Sequence, residues 1–255
     1  MMLDREWLKT FAPFGIIQPS GQWLPTGACV FVDYGGVAWC ITAGHIFGRA
    51  VDTPVGCLVP IDGQLTVVAL SDVYQKMSGI GWILEPASDL AVGPMPMQPG
   101  MDIHSIGFDR CLQLQDVHPS MPCVIAGQTY GLPGIDAVKP TPILLDGIIA
   151  GIDLPTQRVF LSVPMFPGNN GGPIIAYLAP LQAGDSTQLG VSAAFLAGIV
   201  TETLVIPRQH TDVIAQTPMH LGSGASIDAV KNLLFGAEAT RMLSLIKSLP
   251  SSVAI

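Results

Sequence analysis

Apolar residues in this chain fall in short runs broken by glycine, proline, aspartate and asparagine. Ten of these runs read as strands: 28–33, 37–42, 65–70, 80–84, 90–92, 123–126, 143–149, 159–163, 173–177 and 194–201. Each is too short for a typical helix and is bounded by turn formers. Tyr34-Gly35-Gly36 separates the first two and predicts a hairpin there. Many short strands with turn signals between them predict an antiparallel barrel or sandwich, not alternating βαβ units. Helical spacing is confined to the C-terminal end. Ser226 is placed to cap a helix carrying Ile227, Val230, Leu233 and Leu234 on one face, with Gly236 ending it. A second helix is expected over 238–249, with Met242, Leu243, Leu245 and Ile246 apolar and Pro250 beyond it. Both are expected to pack on the strands. Residues 1–19 carry no decisive pattern. No repeat of fixed period and no low-complexity segment is present.

Composition narrows the classes of function. The 255 residues include 49% hydrophobic and only 12% charged side chains, which excludes a disordered chain. A chain of this mass can bury about 70% of its unfolded surface. Lys and Arg number 11 against 19 Asp and Glu, for a net charge of −8. That balance argues against nucleic acid and against anionic membrane surfaces as partners. Mean hydropathy is +0.50, so a membrane span has to be considered. The best apolar stretch, 161–184, is interrupted by Pro164, Pro167, Gly168, Asn169, Asn170, Gly171, Gly172 and Pro173, which no lipid-exposed helix tolerates. The first residues lack a basic region followed by an apolar run, so no signal peptide is read and a cytoplasmic location is expected. The five cysteines, 29, 40, 57, 111 and 123, show no CxxC spacing. Free buried thiols are therefore expected, with no metal site and no cofactor.

Three segments carry the chemistry. Thr42-Ala43-Gly44-His45 ends a strand in a small-residue turn and an imidazole. Ser88-Asp89-Leu90-Ala91-Val92 sets a carboxylate at the mouth of a strand. Phe166-Pro167-Gly168-Asn169-Asn170-Gly171-Gly172-Pro173 is a glycine-rich turn. An imidazole can serve as general base, and a carboxylate can fix its tautomer and stabilise its cation. A glycine-rich turn can aim backbone N–H groups at one developing oxyanion.

Taken in this order, the segments resemble those of the trypsin-like serine peptidase family over about residues 24–236. The Pro-Gly-Asn run and the Gly224-Ala225-Ser226-Ile227-Asp228 entry to a closing helix resemble its bacterial stress-protease members in particular. The resemblance implies an all-β fold of two antiparallel six-stranded β-barrels with C-terminal helices. The division expected is an N-terminal segment at 1–20, barrels at 21–115 and 116–225, and a helical segment at 226–255. It implies His45 as base, Asp89 as orienting acid, residue 170 as nucleophile, and the N–H groups of Gly168 and residue 170 as the oxyanion hole. The implied partner is a peptide or protein substrate, its backbone pairing beside 197–201. Pro164, Met165 and Phe166 would face Thr201 and Thr203 across the primary pocket. No carboxylate lies among them, so a small or medium apolar side chain is expected there. His220 is read as a loop residue, and His104, His118 and His210 as surface residues.

The chain departs from the family pattern at the nucleophile. Where the family has Gly-Asn-Ser-Gly-Gly-Pro, this chain has Asn170. A carboxamide nitrogen is not nucleophilic, because its lone pair is delocalised. Losing the serine costs roughly a millionfold in rate, about 8 kcal/mol. The chain as written is therefore expected to form no acyl-enzyme. Two readings stand side by side. Asn170 is an engineered or incidental change in a serine endopeptidase, or it is a natural loss that leaves a pseudopeptidase binding peptides or proteins. The Asn170-Gly171 step is also expected to be prone to deamidation. No Ile-Val-Gly-Gly segment is present, and Asn169 stands where an activating N-terminus would need an aspartate, so activation by N-terminal cleavage is not expected.

Overall fold

The computed structural model describes residues 3–47, 54–75, 79–127, 142–166, 168–178, 193–210 and 213–249, with the backbone alone for 73, 75, 203–210 and 213–220. The fold is all-β, built from two antiparallel sheets and closed off by two C-terminal helices.

The N-terminal sheet has seven strands: β1 (Phe11–Ile17), β2 (Trp23–Tyr34), β3 (Val37–Ala43), β4 (Val55–Ile61), β5 (Gln64–Ala69), β6 (Ile83–Glu85) and β7 (Leu90–Pro94). Their order is β5-β4-β1-β2-β3-β7-β6. The stretch left open by the sequence pattern thus supplies a 3-10 turn, Arg5–Lys9, and then β1, an interior strand paired with β2 and β4. The expected hairpin joins β2 to β3, with Tyr34 opposite Val37. Gly35 and Gly36 both have positive φ, 67° and 80°, as a two-residue turn matched to strand twist requires.

The C-terminal half closes into the expected six-stranded barrel. Its strands are β8 (Pro122–Gly127), β9 (Ile143–Asp153), β10 (Arg158–Ser162), β11 (Pro173–Leu178), β12 (Ala193–His210) and β13 (Val213–Ser226). Around the barrel the order is β10-β13-β12-β11-β8-β9. A short helix α1 (Leu70–Gln75) follows β5, and α2 (Ile227–Leu234) and α3 (Ala237–Ser248) follow β13. Ser226 caps α2 through its side chain, which accepts from the Ala229 N–H.

Each half has its own core. Phe14, Phe31 and Met95 fill the first, and Ile125, Ile149 and Leu161 fill the second. A third cluster lies between them. Val30, Trp39 and Leu90 of the first sheet meet Ile175, Leu196 and Ile199 of the barrel, together with Ile227, Val230 and Leu234 of α2 and Met242 of α3. Fully burying one such side chain contributes about 1.5–3 kcal/mol, so this shared cluster welds the halves and fixes the cleft between them. All five cysteines are unpaired, and four are buried. Burial pushes the Cys123 thiol up to about 12. Among the described residues no helix is long and apolar enough to cross a membrane.

Candidate functional site

β3 runs out of the N-terminal sheet into a 3-10 turn, Gly44–Phe47, which carries His45 to the cleft. Asp89 sits in the turn leading into β7, with φ at +54°, a left-handed conformation that non-glycine residues rarely adopt. Three contacts hold it there. Its backbone carbonyl accepts from the Gly44 N–H at 2.8 Å. Its carboxylate accepts the His45 backbone N–H through Oδ1, 2.8 Å, and lies 2.8 Å from His45 Nδ1 through Oδ2. β3 and β7 pair directly, with Ala43 opposite Leu90, so the two strand ends deliver imidazole and carboxylate side by side.

With Nδ1–H directed at Asp89, the neutral ring presents Nε2 as an acceptor. Asn170 Nδ2 lies 3.0 Å from that nitrogen, and the amide donates to it. The three residues form one line of hydrogen bonds, Asp89 to His45 to Asn170. Asn170 Oδ1 is buried and has no partner. The Asp89 bond raises the His45 pKa above its usual 6.5, burial opposes the rise, and the charges of Asp89 and Glu202 add to it. Side-chain exposures of 47% and 27% leave the His45–Asp89 pair open to solvent on one side.

The loop before β11 is held almost wholly by backbone. Asn170 carbonyl oxygen accepts from the Ala28 N–H of β2 at 2.8 Å. Gly171 N–H donates to Val200 at 2.7 Å, and Gly172 N–H to Asn169 at 2.9 Å. Gly171 has φ +82°, and a Cβ there would fall 2.0 Å from the Ala28 carbonyl oxygen and 2.4 Å from Thr42 Oγ1. Only glycine allows so close an approach of loop and strand. Within the loop the fully buried Asn169 adds a side-chain brace, its Oδ1 accepting the Phe166 N–H at 2.8 Å. Among the described residues the N–H groups of Gly168 and Asn170 donate to no protein acceptor.

On the expected pocket side, Met165 and Thr201 are each 2% exposed, and Pro164 and Phe166 are half-buried. Met165 lies hard against β13: a Cβ built on Gly222 would stand 1.6 Å from Met165 Sδ. The methionine therefore fills the space between its own loop and the β12–β13 pair. The side chains of Thr203, His210 and His220, and the whole of Pro167, lie outside the described residues.

Two contributors, Ala28 and Glu202, have no counterpart in the sequence motifs. Ala28 and Thr42 clamp the loop, with Thr42 Oγ1 donating to the Ala28 carbonyl at 2.7 Å. Glu202, held by Arg158 at 3.1 Å and Ser223 at 3.3 Å, acts on His45 through its charge. Thr42 stands inside the Thr-Ala-Gly-His segment; nothing local marks Ala28 or Glu202. Among the described residues no group of His, Cys, Asp and Glu is arranged to hold a metal ion. The site can take a proton at His45 and orient that imidazole through Asp89. No protein-family model and no curated protein matches the chain.

Proposed function

We propose that this chain is a trypsin-like serine endopeptidase scaffold with asparagine in the nucleophile's place, so that its cleft binds polypeptide without cleaving it. The observation that carries the reading is the hydrogen-bond line from Asp89 through His45 Nε2 to residue 170. With serine at 170, His45 would take the hydroxyl proton as the oxygen attacks a peptide carbonyl. Asp89 would hold the imidazolium, and the Gly168 and residue 170 N–H groups would receive the oxyanion. The proton would then pass from His45 to the leaving amine, and water would release the acyl group by the same route. Asn170 offers no such oxygen nucleophile, and its amide instead occupies Nε2. The chain as written thus retains binding and loses acyl transfer. Since Met165 fills the neighbouring space, the side chain accepted next to the scissile bond is small and apolar.

The test compares this chain with its Asn170→Ser variant, using a fluorophosphonate probe and a quenched-peptide library. The expected result is labelling and cleavage by the serine variant alone. The reading is overturned if the folded variant, with its His45 resonances intact, neither labels nor cleaves. It is equally overturned if the asparagine form cleaves at a rate that survives repurification. A natural binding role is favoured if the asparagine form holds extended peptides at least as tightly as the serine form carrying His45→Ala.

A further inference from the structure

Beside the turn that carries Asp89, lined in part by Ala87 and Ser88, lies a cavity of about 550 Å³. The N-terminal sheet contributes Glu85, Ala87 and Ser88, the turn between β9 and β10 contributes Thr156 and Gln157, and Asn232 and Glu238 come from α2 and α3. It is therefore assembled where both halves and the C-terminal helices meet. Its size falls in the range of small-molecule sites.

The lining is rich in acceptors. Among the described residues that line it, Glu85 and Glu238 are the charged groups, and none is Lys, Arg or His. Glu85 spends one oxygen on the Ala87 N–H at 3.1 Å. Glu238 makes only a long, exposed contact of 4.0 Å to Arg241, of the kind that contributes little. Asn232 Nδ2 donates to Gln157 Oε1 at 3.1 Å, which leaves the Asn232 carbonyl facing no donor. Thr156 Oγ1 donates to Asp153 and keeps its lone pairs. Between these groups stand Ile83, Pro155, Ala229 and Leu233, an apolar wall for a hydrocarbon stem.

We propose that this cavity binds a guanidinium or ammonium group carried on an aliphatic stem. The head donates to Glu85, Glu238 and the Asn232 carbonyl, and the stem packs on Leu233 and Ile83. The net charge of −8 draws cations to the molecule at long range. An occupant also touches the turn that sets Asp89. Ser88 both lines the cavity and adjoins Asp89, and its hydroxyl, without a partner, does not pin the turn in place. The source of the head group is either a free polyamine or an arginine or lysine side chain of a polypeptide.

The test titrates the chain as it stands with n-butylguanidinium, the neutral isostere n-butylurea, spermidine, and acetyl-Ala-Arg-Ala-amide at fixed ionic strength. The backbone amide signals of Ser88, Asp89, Thr156 and Asn232 report binding. Saturable shifts are expected with butylguanidinium and none with butylurea. The Glu85→Gln, Glu238→Gln double variant should bind at least tenfold more weakly. Ala87→Trp, which blocks the cavity without changing charge, should abolish the shifts. Tighter binding of spermidine than of the peptide identifies the polyamine as the source, and the reverse order identifies a peptide side chain. Equal shifts with butylurea, unchanged affinity in the double variant, or no saturable shift with any cation overturns the proposal.

Discussion

One carboxylate grips His45 twice: Asp89 Oδ2 lies 2.8 Å from the ring Nδ1, and Oδ1 accepts the same residue's backbone N–H at 2.8 Å. Ring orientation and turn position are thus set by a single side chain. The pair has consequences at residue 170 that are measurable once a nucleophile is supplied. In the Asn170→Ser variant the base must be neutral to act, so kcat/KM is expected to rise with pH through a midpoint above 6.5, because the Asp89 bond raises the His45 pKa. Asp89→Asn should lower that midpoint and reduce kcat by on the order of 10⁴. A pH–rate profile of the two variants checks both, and a midpoint unmoved by Asp89→Asn would remove Asp89 from this role.

Folding stability should carry the same signature with a definite sign. A histidine whose folded pKa is raised binds its proton more tightly when folded. The stability it adds is fully present below about pH 6.5 and is lost as pH rises through the folded pKa. Asp89→Asn is therefore expected to destabilise the chain more at about pH 5.5 than at about pH 8.5. Urea midpoints at the two pH values decide it. An equal loss at both would mean that Asp89 acts on the fold only through its uncharged contacts.

The Asn170-Gly171 step is protected by the fold against the deamidation its sequence invites. Succinimide closure needs the Gly171 nitrogen to attack the Asn170 side-chain carbonyl, yet that N–H is spent on Val200 at 2.7 Å and the glycine is locked at φ +82°. Isoaspartate at 170 should accumulate more slowly in the folded chain than in urea. Mass spectrometry of a timed incubation reads this directly, and equal rates would show the loop to be open in solution.

Met165 should control both packing and the size of side chain accepted. Its sulfur occupies the place that a Gly222 side chain would need. Met165→Ala is expected to cost about 2–5 kcal/mol through the cavity it leaves. In the Asn170→Ser background it should shift library cleavage from small residues toward Leu and Phe. A profile that stays with small residues would assign the specificity elsewhere.

Much of this arrangement is legible in the residues, for reasons that can be named. His45, Asp89 and Asn170 each lie in a short segment whose residue types are unusual together, and the structure brings the three within hydrogen-bonding reach. The C-terminal helices follow from Ser226 and a 3.6-residue apolar repeat. β1, β4 and β13 were illegible because glycine and proline sit inside them: Pro13 and Gly15, Gly56 and Pro60, and Pro218. At β1 the interruption is a real irregularity, a register shift between Phe14 and Gly15. The clamp from Ala28 onto the loop leaves no mark in the sequence, because it is made by backbone atoms that every residue shares. Met165 lies in the segment expected to wall the pocket, but only its contact with Gly222, far along the chain, reveals that it fills the space.

The loop's fastening through Ala28, Val200 and Asn169 has a consequence for its history. These bonds use the main chain of residues 169–172 and ask nothing of the side chain at 170. The seat is therefore built independently of its occupant, and a change of occupant carries no structural debt to be settled elsewhere. Either asparagine codon becomes a serine codon by one A-to-G transition. A lineage holding asparagine here stands one mutational step from serine, with no intermediate that must fold badly on the way.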